Sequence, residues 1–327
     1  MPRTRVIPID RDAPDPLVLA EAAAVLRAGG LVAFTTETVY GLGADATCAS
    51  AVQRIFAAKG RPSDNPLIVH VADEAMARHY AARWPAAAGR LSAFWPGPLT
   101  LVVPRADSLP ADVSAGLDTV GLRVPAPAVA RSLIATTGRP LAAPSANRSE
   151  HVSPTRAEHV LADLEGRVEM ILDSGPTAVG IESTVVDLTG PQPRILRPGP
   201  LGASALGLHL GQALDEGSRG PGPARSPGQR ARHYAPRAPA LRVESPEALA
   251  ELGPAEDDVV LWVGREDGPV ACVRRVLPDP TTAARLLYAT LRECDQQQPR
   301  RILIVMPPDE PDWRAVRDRL IRATTPG

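Results

Sequence analysis

Lysine is almost missing from this chain of 327 residues: of its 36 basic side chains, only Lys59 is a lysine, and the others are arginines. Asparagine is as rare, present only as Asn65 and Asn147. A drift toward GC-rich codons replaces lysine by arginine wherever a generic cation suffices. Because lysine is a compact point charge and arginine a planar fork, a sole lysine marks a place where a guanidinium does not fit. The same logic singles out the two asparagines. Cysteine is scarce too: Cys48, Cys272 and Cys294 form no CxxC pair. A disulfide scaffold and a zinc finger are excluded, and a reducing, cytoplasmic compartment is expected. No apolar run approaches the roughly 18 residues of a membrane span, and the first residues lack the apolar core of a secretory signal. Basic and acidic side chains, 36 and 37, leave a net charge of -1. No cationic excess exists to coat a nucleic acid, so tRNA binding is expected to be weak at most. Walker A, GxGxxG, HExxH and GxSxG are all absent, which leaves a P-loop, a dinucleotide fingerprint, a zincin site and a hydrolase elbow without support.

Hydrophobic residues make up 44% of the chain and charged residues 22%, a globular composition. The Ala/Leu-rich segment 17–28 reads as a helix stopped by Gly29-Gly30, followed by a buried strand at 31–34 and a polar, glycine-rich loop over 35–43. A helix over 49–59 carries Ala51, Val52, Ile55 and Phe56 on one face. Further strands are expected at 67–71, 99–103, 120–124, 141–143, 169–172, 184–188 and 194–196, with helices near 74–82, 86–94, 127–137 and 155–165. This mixture predicts an α/β first domain, residues 1–210. Residues 217–228, GSRGPGPARSPG, read as a semi-stiff linker within a connecting segment 211–237. Alternating helix and strand patterns at 246–252, 259–263, 281–294, 302–305 and 312–323 predict a smaller Rossmann-like αβ domain over 238–327.

Several short segments carry chemistry. In KGRPSDNPL (59–67), Lys59 ends a helix and Arg61 follows on a proline-locked turn. Two cations this close repel unless an anion such as a triphosphate lies between them; the plainer reading is that Lys59 complements a helix C-terminus. In PSAN (144–147), Ser145 and Asn147 offer a hydroxyl and an amide to a ligand, or form an Asx turn. Ser153 either caps the following helix or touches ligand. TETVYGLG (36–43) sets Thr36, Glu37 and Thr38 after a strand, with two glycines permitting close approach of backbone to ligand. In ESTVVD (182–187), Glu182 and Asp187 are a metal pair or solvated acids, and Arg197 in LRPGP (196–200) is a ligand contact or a surface residue. His70 sits within a strand, where an interior imidazole is the plain reading; His79, His151, His159 and His209 are expected at the surface.

TETVYGLG, KGRPSDNPL, WPGPLT (95–100), AGLDTVGLRVP (115–125), APSAN (143–147), ESTVVD and LRPGP together resemble, in order and spacing, the YrdC/Sua5 family. SPGQRARHYAP (226–236) is similar to the linker of its longer Sua5 branch. The resemblance implies a YrdC-like twisted mixed sheet with helices, and a nucleotidyltransferase that makes L-threonylcarbamoyladenylate and pyrophosphate from L-threonine, bicarbonate and ATP. That product serves the t6A modification of tRNA position 37, so downstream t6A transferase machinery is an implied partner. Carried over by motif, Lys59, Arg61, Ser145 and Asn147 form the signature nucleotide site, and Thr36, His70, Arg123 and Ser183 surround threonine. Thr119, Ser153 and Arg197 contact ATP, and Tyr234 belongs to a lid over the site. Mg2+ accompanies ATP, with no motif to name its ligands. Two departures stand out: Thr35 replaces the family's proline before TET, and Glu150 replaces a glycine after SANxS. Two alternatives carry the same core fold: an RNA-binding module of YrdC type, which the neutral charge disfavours, and a carbamoyl transferase of hydrogenase maturation, whose acylphosphatase and Cys-rich zinc segments are not visible here.

Overall fold

The computed structural model describes residues 3–216, 227, 233–265 and 272–327. Most of the linker GSRGPGPARSPG lies outside the described residues. The chain divides into two compact units, and the division is not linear. The first unit holds 1–149, 154–177 and 182–229; the second holds 230–327 together with the short segments 150–153 and 178–181. A boundary drawn from composition near residue 210 does not register those two excursions, which are too short to alter local composition.

Among the described residues, the first unit contains strands β1 (Arg5–Pro8), β2 (Val32–Thr35), β3 (Tyr40–Asp45), β4 (Ile68–His70), β5 (Leu99–Pro104), β6 (Thr119–Arg123), β7 (Leu141–Ala142), β8 (Met170–Asp173), β9 (Thr184–Asp187) and β10 (Arg194–Arg197). They form one mixed sheet in the order β1-β8-β2-β3-β7-β4-β6-β5-β9-β10. Its helices are α1 (Pro16–Arg27), α2 (Ala49–Lys59), α3 (Glu74–His79), α4 (Ala86–Leu91), α5 (Ala128–Thr137), α6 (Ala157–Leu164) and α7 (Ala203–Leu210). Strand alternation divides the core between two faces. Val32, Phe34, Leu141, Ala143 and Met170 pack under α1 and α5. Ala33, Tyr40, Leu42, Ala142 and Ile171 pack under α2 and α6.

The expected loop over 35–43 is only half a loop, because Tyr40–Asp45 is strand β3, antiparallel to β2. Its glycines serve packing. A Cβ on Gly43 would stand 2.8 Å from Phe34 Cε1, and one on Gly41 would stand 3.3 Å from Ala143 Cβ. Phe34 therefore occupies the space that the missing side chains leave.

The second unit contains β11 (Ala240–Val243), β12 (Val259–Val263), β13 (Val273–Leu277), β14 (Ile302–Val305) and β15 (Thr325–Pro326), all paired in parallel in the order β13-β12-β14-β11-β15. Its helices are α8 (Pro246–Leu252), α9 (Pro280–Gln296) and α10 (Arg314–Ala323). The chain's many prolines find a use at helix starts. Asp15, Ser245 and Asp279 each accept a backbone N–H of the first turn while the following proline occupies the first helical position, where no donor is lost. No helix among the described residues is long and apolar enough to cross a membrane.

Candidate active site

Helix α2 ends in a glycine stop. Gly60 adopts φ 60°, and the N–H groups of Gly60 and Arg61 fold back onto the last turn. That turn directs Lys59 inward, where it is 2% exposed. Its ammonium donates to the Ser145 carbonyl at 2.6 Å and to the Asn147 carbonyl, and stands 3.5 Å from Asn147 Oδ1. Ser149 N returns a bond to Lys59 O at 2.9 Å. Burial first, and the Arg61 guanidinium second, push the Lys59 ammonium well below the usual lysine range, against the pull of Asp163. Arg61, 7% exposed, donates to the Asn65 carbonyl at 3.4 Å and the Pro66 carbonyl at 3.1 Å, strapping its own loop. Backbone carbonyls thus meet both cations, at 2.6 Å for Lys59 on Ser145 and 3.1 Å for Arg61 on Pro66. Asn147 is buried, with Nδ2 on the Arg148 carbonyl at 2.9 Å; Ser145 is half-buried and bridges to Gly41 of β3.

A second group lies along the sheet. Strands β4, β6, β5 and β9 turn Val69, Leu122, Leu101 and Val186 toward the α2 face. Their alternate positions face the other way: Ile68 opposite Gly121, His70 opposite Arg123, with Thr119 two residues before Gly121. A Cβ on Gly121 would stand 3.1 Å from Thr100 Cγ2, which places Thr100 on that same face. Thr100 Oγ1 is 2.8 Å from Ser183 Oγ. A polar row thus takes the place of a hydrophobic layer, and its members are buried.

Arg123, 3% exposed, forms an ion pair of 2.7 Å with Glu37 Oε1 and donates from Nε to the Gly97 carbonyl at 3.3 Å. Glu37 Oε2 accepts Ala126 N at 3.0 Å. Beside the pair, burial and then the Arg123 charge push His70 well below its ordinary value, so its imidazole is neutral at pH 7. Its ring meets Phe34 edge-on at 6.2 Å, and Nδ1 has no hydrogen-bond partner among the described residues. Thr119 Oγ1 is likewise buried without a partner among them.

Thr36 spends its hydroxyl on its own turn, donating to Val39 O at 2.6 Å and accepting from the N–H groups of Thr38 and Val39 at 3.2 Å. This turn connects β2 to β3 and touches both groups, through Glu37 on one side and through the Gly41–Ser145 bridge on the other. Arg197 is a buried residue, not a surface one, and donates to Ser183 O and Oγ at 3.0–3.1 Å. Gly199 makes that approach possible, since a Cβ there would stand 2.3 Å from Thr184 N.

Ser153 and Tyr234 belong to the second unit. Ser153 is fully buried. Tyr234 adopts φ 64° and packs its ring 5.5 Å from that of Tyr288, with the Arg319 guanidinium 5.5 Å from its centroid. His159, expected at the surface, is 8% exposed because Nδ1 accepts Thr155 N at 3.3 Å ahead of α6. Glu182 and Asp187 are both buried, and no three His, Cys, Asp or Glu side chains among the described residues converge as a metal site. Thr100 is the member that sequence reasoning did not single out, and Glu37 was marked only as a polar group after a strand, without its partner Arg123. Period-two polarity in β4 and β6 could have exposed the row, whereas nothing local to TET indicates that Glu37 reaches Arg123.

Two family profiles match the chain. Residues 24–199 match Sua5_yciO_yrdC, described as "Telomere recombination", and residues 204–325 match "Threonylcarbamoyl-AMP synthase, C-terminal domain". A threonylcarbamoyl-AMP synthase of Bacillus subtilis (strain 168) is 41% identical over 324 residues, covering 93% of this chain and 92% of the relative. One from Pyrococcus abyssi is 48% identical over 229 residues, 69% of this chain and 67% of that protein. The crystal structure of P. abyssi Sua5 complexed with L-threonine superposes with a TM-score of 0.89 at 38% identity, covering 98% of this chain and 99% of that one.

Proposed function

Because this chain belongs to the Sua5/YciO/YrdC family and has its threonylcarbamoyl-AMP synthase activity, we propose that the sheet-face row binds threonine and that the α2–PSAN corner binds ATP. Threonine's amine condenses with bicarbonate, losing water, to give a carbamate, whose oxygen attacks the α-phosphorus of ATP as pyrophosphate leaves. Little covalent help is required, so positioning and charge compensation supply most of the rate.

In this reading Arg123 takes the threonine carboxylate, with His70, Thr36 and Ser183 around the rest of the amino acid. Neutral His70 offers its unpaired Nδ1 as a hydrogen-bond partner without adding a second cation beside Arg123. Lys59 and Arg61 set the shape of the corner that Ser145 and Asn147 present to the nucleotide. Thr119 and Arg197 contact ATP; Thr119 supports this with a buried hydroxyl that has no partner among the described residues. Mg2+ accompanies ATP as part of the substrate in this reading, and no step is routed through it. A reducing cytoplasm is the proposed compartment, supported by three cysteines that form no disulfide. A t6A transferase that consumes the adenylate, with at most weak tRNA binding by this chain, completes the proposal.

The observation that carries this reading is the buried Arg123–Glu37 pair at 2.7 Å beside an uncharged histidine. A fixed cation of this kind suits a small carboxylate better than a nucleic-acid backbone. ATP–pyrophosphate exchange tests it: exchange should require both threonine and bicarbonate, and Arg123→Ala should abolish it or raise the threonine KM sharply. Exchange that proceeds equally without threonine refutes it.

A further inference from the structure

We propose that Glu37 is a positioning residue for the amino-acid substrate, holding Arg123 so that one edge of its guanidinium stays turned to the threonine carboxylate. The inference rests on the reading of Arg123 just given and adds a second residue to it.

A guanidinium has five N–H donors in a rigid fork. Nε donates to the Gly97 carbonyl at 3.3 Å, and Nη2 stands 2.7 Å from Glu37 Oε1 as an ion pair without hydrogen-bond geometry. Nη1 makes no hydrogen bond among the described residues and remains for a ligand. Glu37 is itself fixed from two directions. Its second oxygen accepts Ala126 N at 3.0 Å, and its backbone lies in the turn that the Thr36 hydroxyl closes onto Val39 O at 2.6 Å. A carboxylate on a stiff turn, tied to the chain just beyond β6, leaves Arg123 little freedom to rotate. It also offsets the cost of a buried, otherwise lone cation. A structural ion pair would need only the attraction. The additional Ala126 bond and the paired edge at Gly97 add orientation, which is what two-point recognition of a carboxylate requires.

The decisive variant is Glu37→Gln, which keeps the shape and the Ala126 contact and removes the charge. It should raise the threonine KM about tenfold, or roughly 1.4 kcal/mol, with the ATP KM unchanged. Glu37→Asp, which keeps the charge but shortens the reach, should give a smaller rise, again in threonine alone, and it carries the test if the glutamine variant does not fold. An unchanged threonine KM, or equal shifts in the threonine and ATP values, overturns the proposal. Arg123→Ala separates this from its premise. If that variant keeps a normal threonine KM, the carboxylate reading of Arg123 is wrong. If its threonine KM rises sharply or its exchange is lost while Glu37→Gln behaves as wild type, only the role of Glu37 falls.

Discussion

Replacing Lys59 by methionine should damage the fold of the first unit and not merely its chemistry. Methionine keeps a flexible, unbranched stem and removes the ammonium, which leaves the Ser145 and Asn147 carbonyls without the donor they meet in the native chain, at 2.6 Å in the case of Ser145. A buried oxygen stranded in this way costs about 1–3 kcal/mol. Asn147 is buried and bears the full penalty, whereas half-buried Ser145 recovers part of its own from water. Some energy returns because a cation no longer has to be desolvated, the same burial that pulls Lys59 down from its usual range. The net expectation is a loss of about 2–4 kcal/mol. For a unit of this size that corresponds to a fall of roughly 5–15 °C in melting temperature. Lys59→Arg should fare no better, because the planar fork has no room in a slot 2% exposed and lined by backbone. Scanning calorimetry of the three proteins measures both effects. If both variants melt within about 1 °C of wild type while ATP–pyrophosphate exchange disappears, Lys59 is a ligand contact alone and the bracing argument is refuted.

Gly43→Ala should destabilise the β2–β3 hairpin by about 1–3 kcal/mol in urea denaturation, since its Cβ would stand 2.8 Å from Phe34 Cε1 and 3.1 Å from Val32 O; a silent substitution would show that Phe34 has space to move. His70 is held neutral in the native state and protonates below about pH 6.5 when unfolded, so the unfolded chain binds the extra proton and stability falls as the pH drops below that value, by at most about 1.4 kcal/mol per pH unit. Urea curves from about pH 7 to 5 should be steeper in pH for wild type than for His70→Gln, and equal slopes count against the assignment. Asp258→Ala should lower the stability of the second unit by about 1–3 kcal/mol, because the buried carboxylate accepts Ala255 N at 2.9 Å and pairs with Arg300 and Arg301 at 2.9 and 3.1 Å; a thermal melt unchanged by the substitution would place those pairs among the surface bridges of no consequence. EDTA should abolish pyrophosphate exchange while leaving the melting temperature of the nucleotide-free chain unchanged, and a lower melting point would reveal a resident metal.

Most helices were legible because their signals are local. Gly60 and Gly138 end α2 and α5 in left-handed conformations, and the Asp-Pro and Ser-Pro pairs start α1, α8 and α9; α7, with small residues and no such start signal, was not expected. Strand β3 escaped notice because Gly41 and Gly43 read as a turn when seen alone. Their reason for being glycine is Phe34 across the hairpin, which no window around them contains. Edge strands β1 and β13 expose most of their residues, and so lack the apolar alternation that marks a half-buried strand. His159 was misjudged for a related reason: a bond four residues back to Thr155 N buries it, and an isolated histidine gives no sign of that bond.

The same distinction explains why the candidate site was legible as a set of motifs and not as a geometry. Each motif is a connection at the end of a strand, and the sheet order places β4, β6, β5 and β9 side by side although their sequence positions span more than a hundred residues. Residue type could therefore mark Lys59 and Asn147 as unusual but could not show that one holds the other in place. Rarity in a biased composition reports that a side chain is irreplaceable and is silent on whether a ligand or the fold makes it so. In this chain the ammonium meets carbonyl oxygens, and the guanidinium of Arg123 meets a carboxylate. Buried cations here are compensated first by the protein itself, so a substrate entering the site meets groups already aimed and already neutralised. Such an arrangement favours a small zwitterion that adds no net charge on binding. Under the proposed assignment it also makes the compensating partners, Glu37 and the PSAN carbonyls, as consequential for threonine and ATP as the cations they hold.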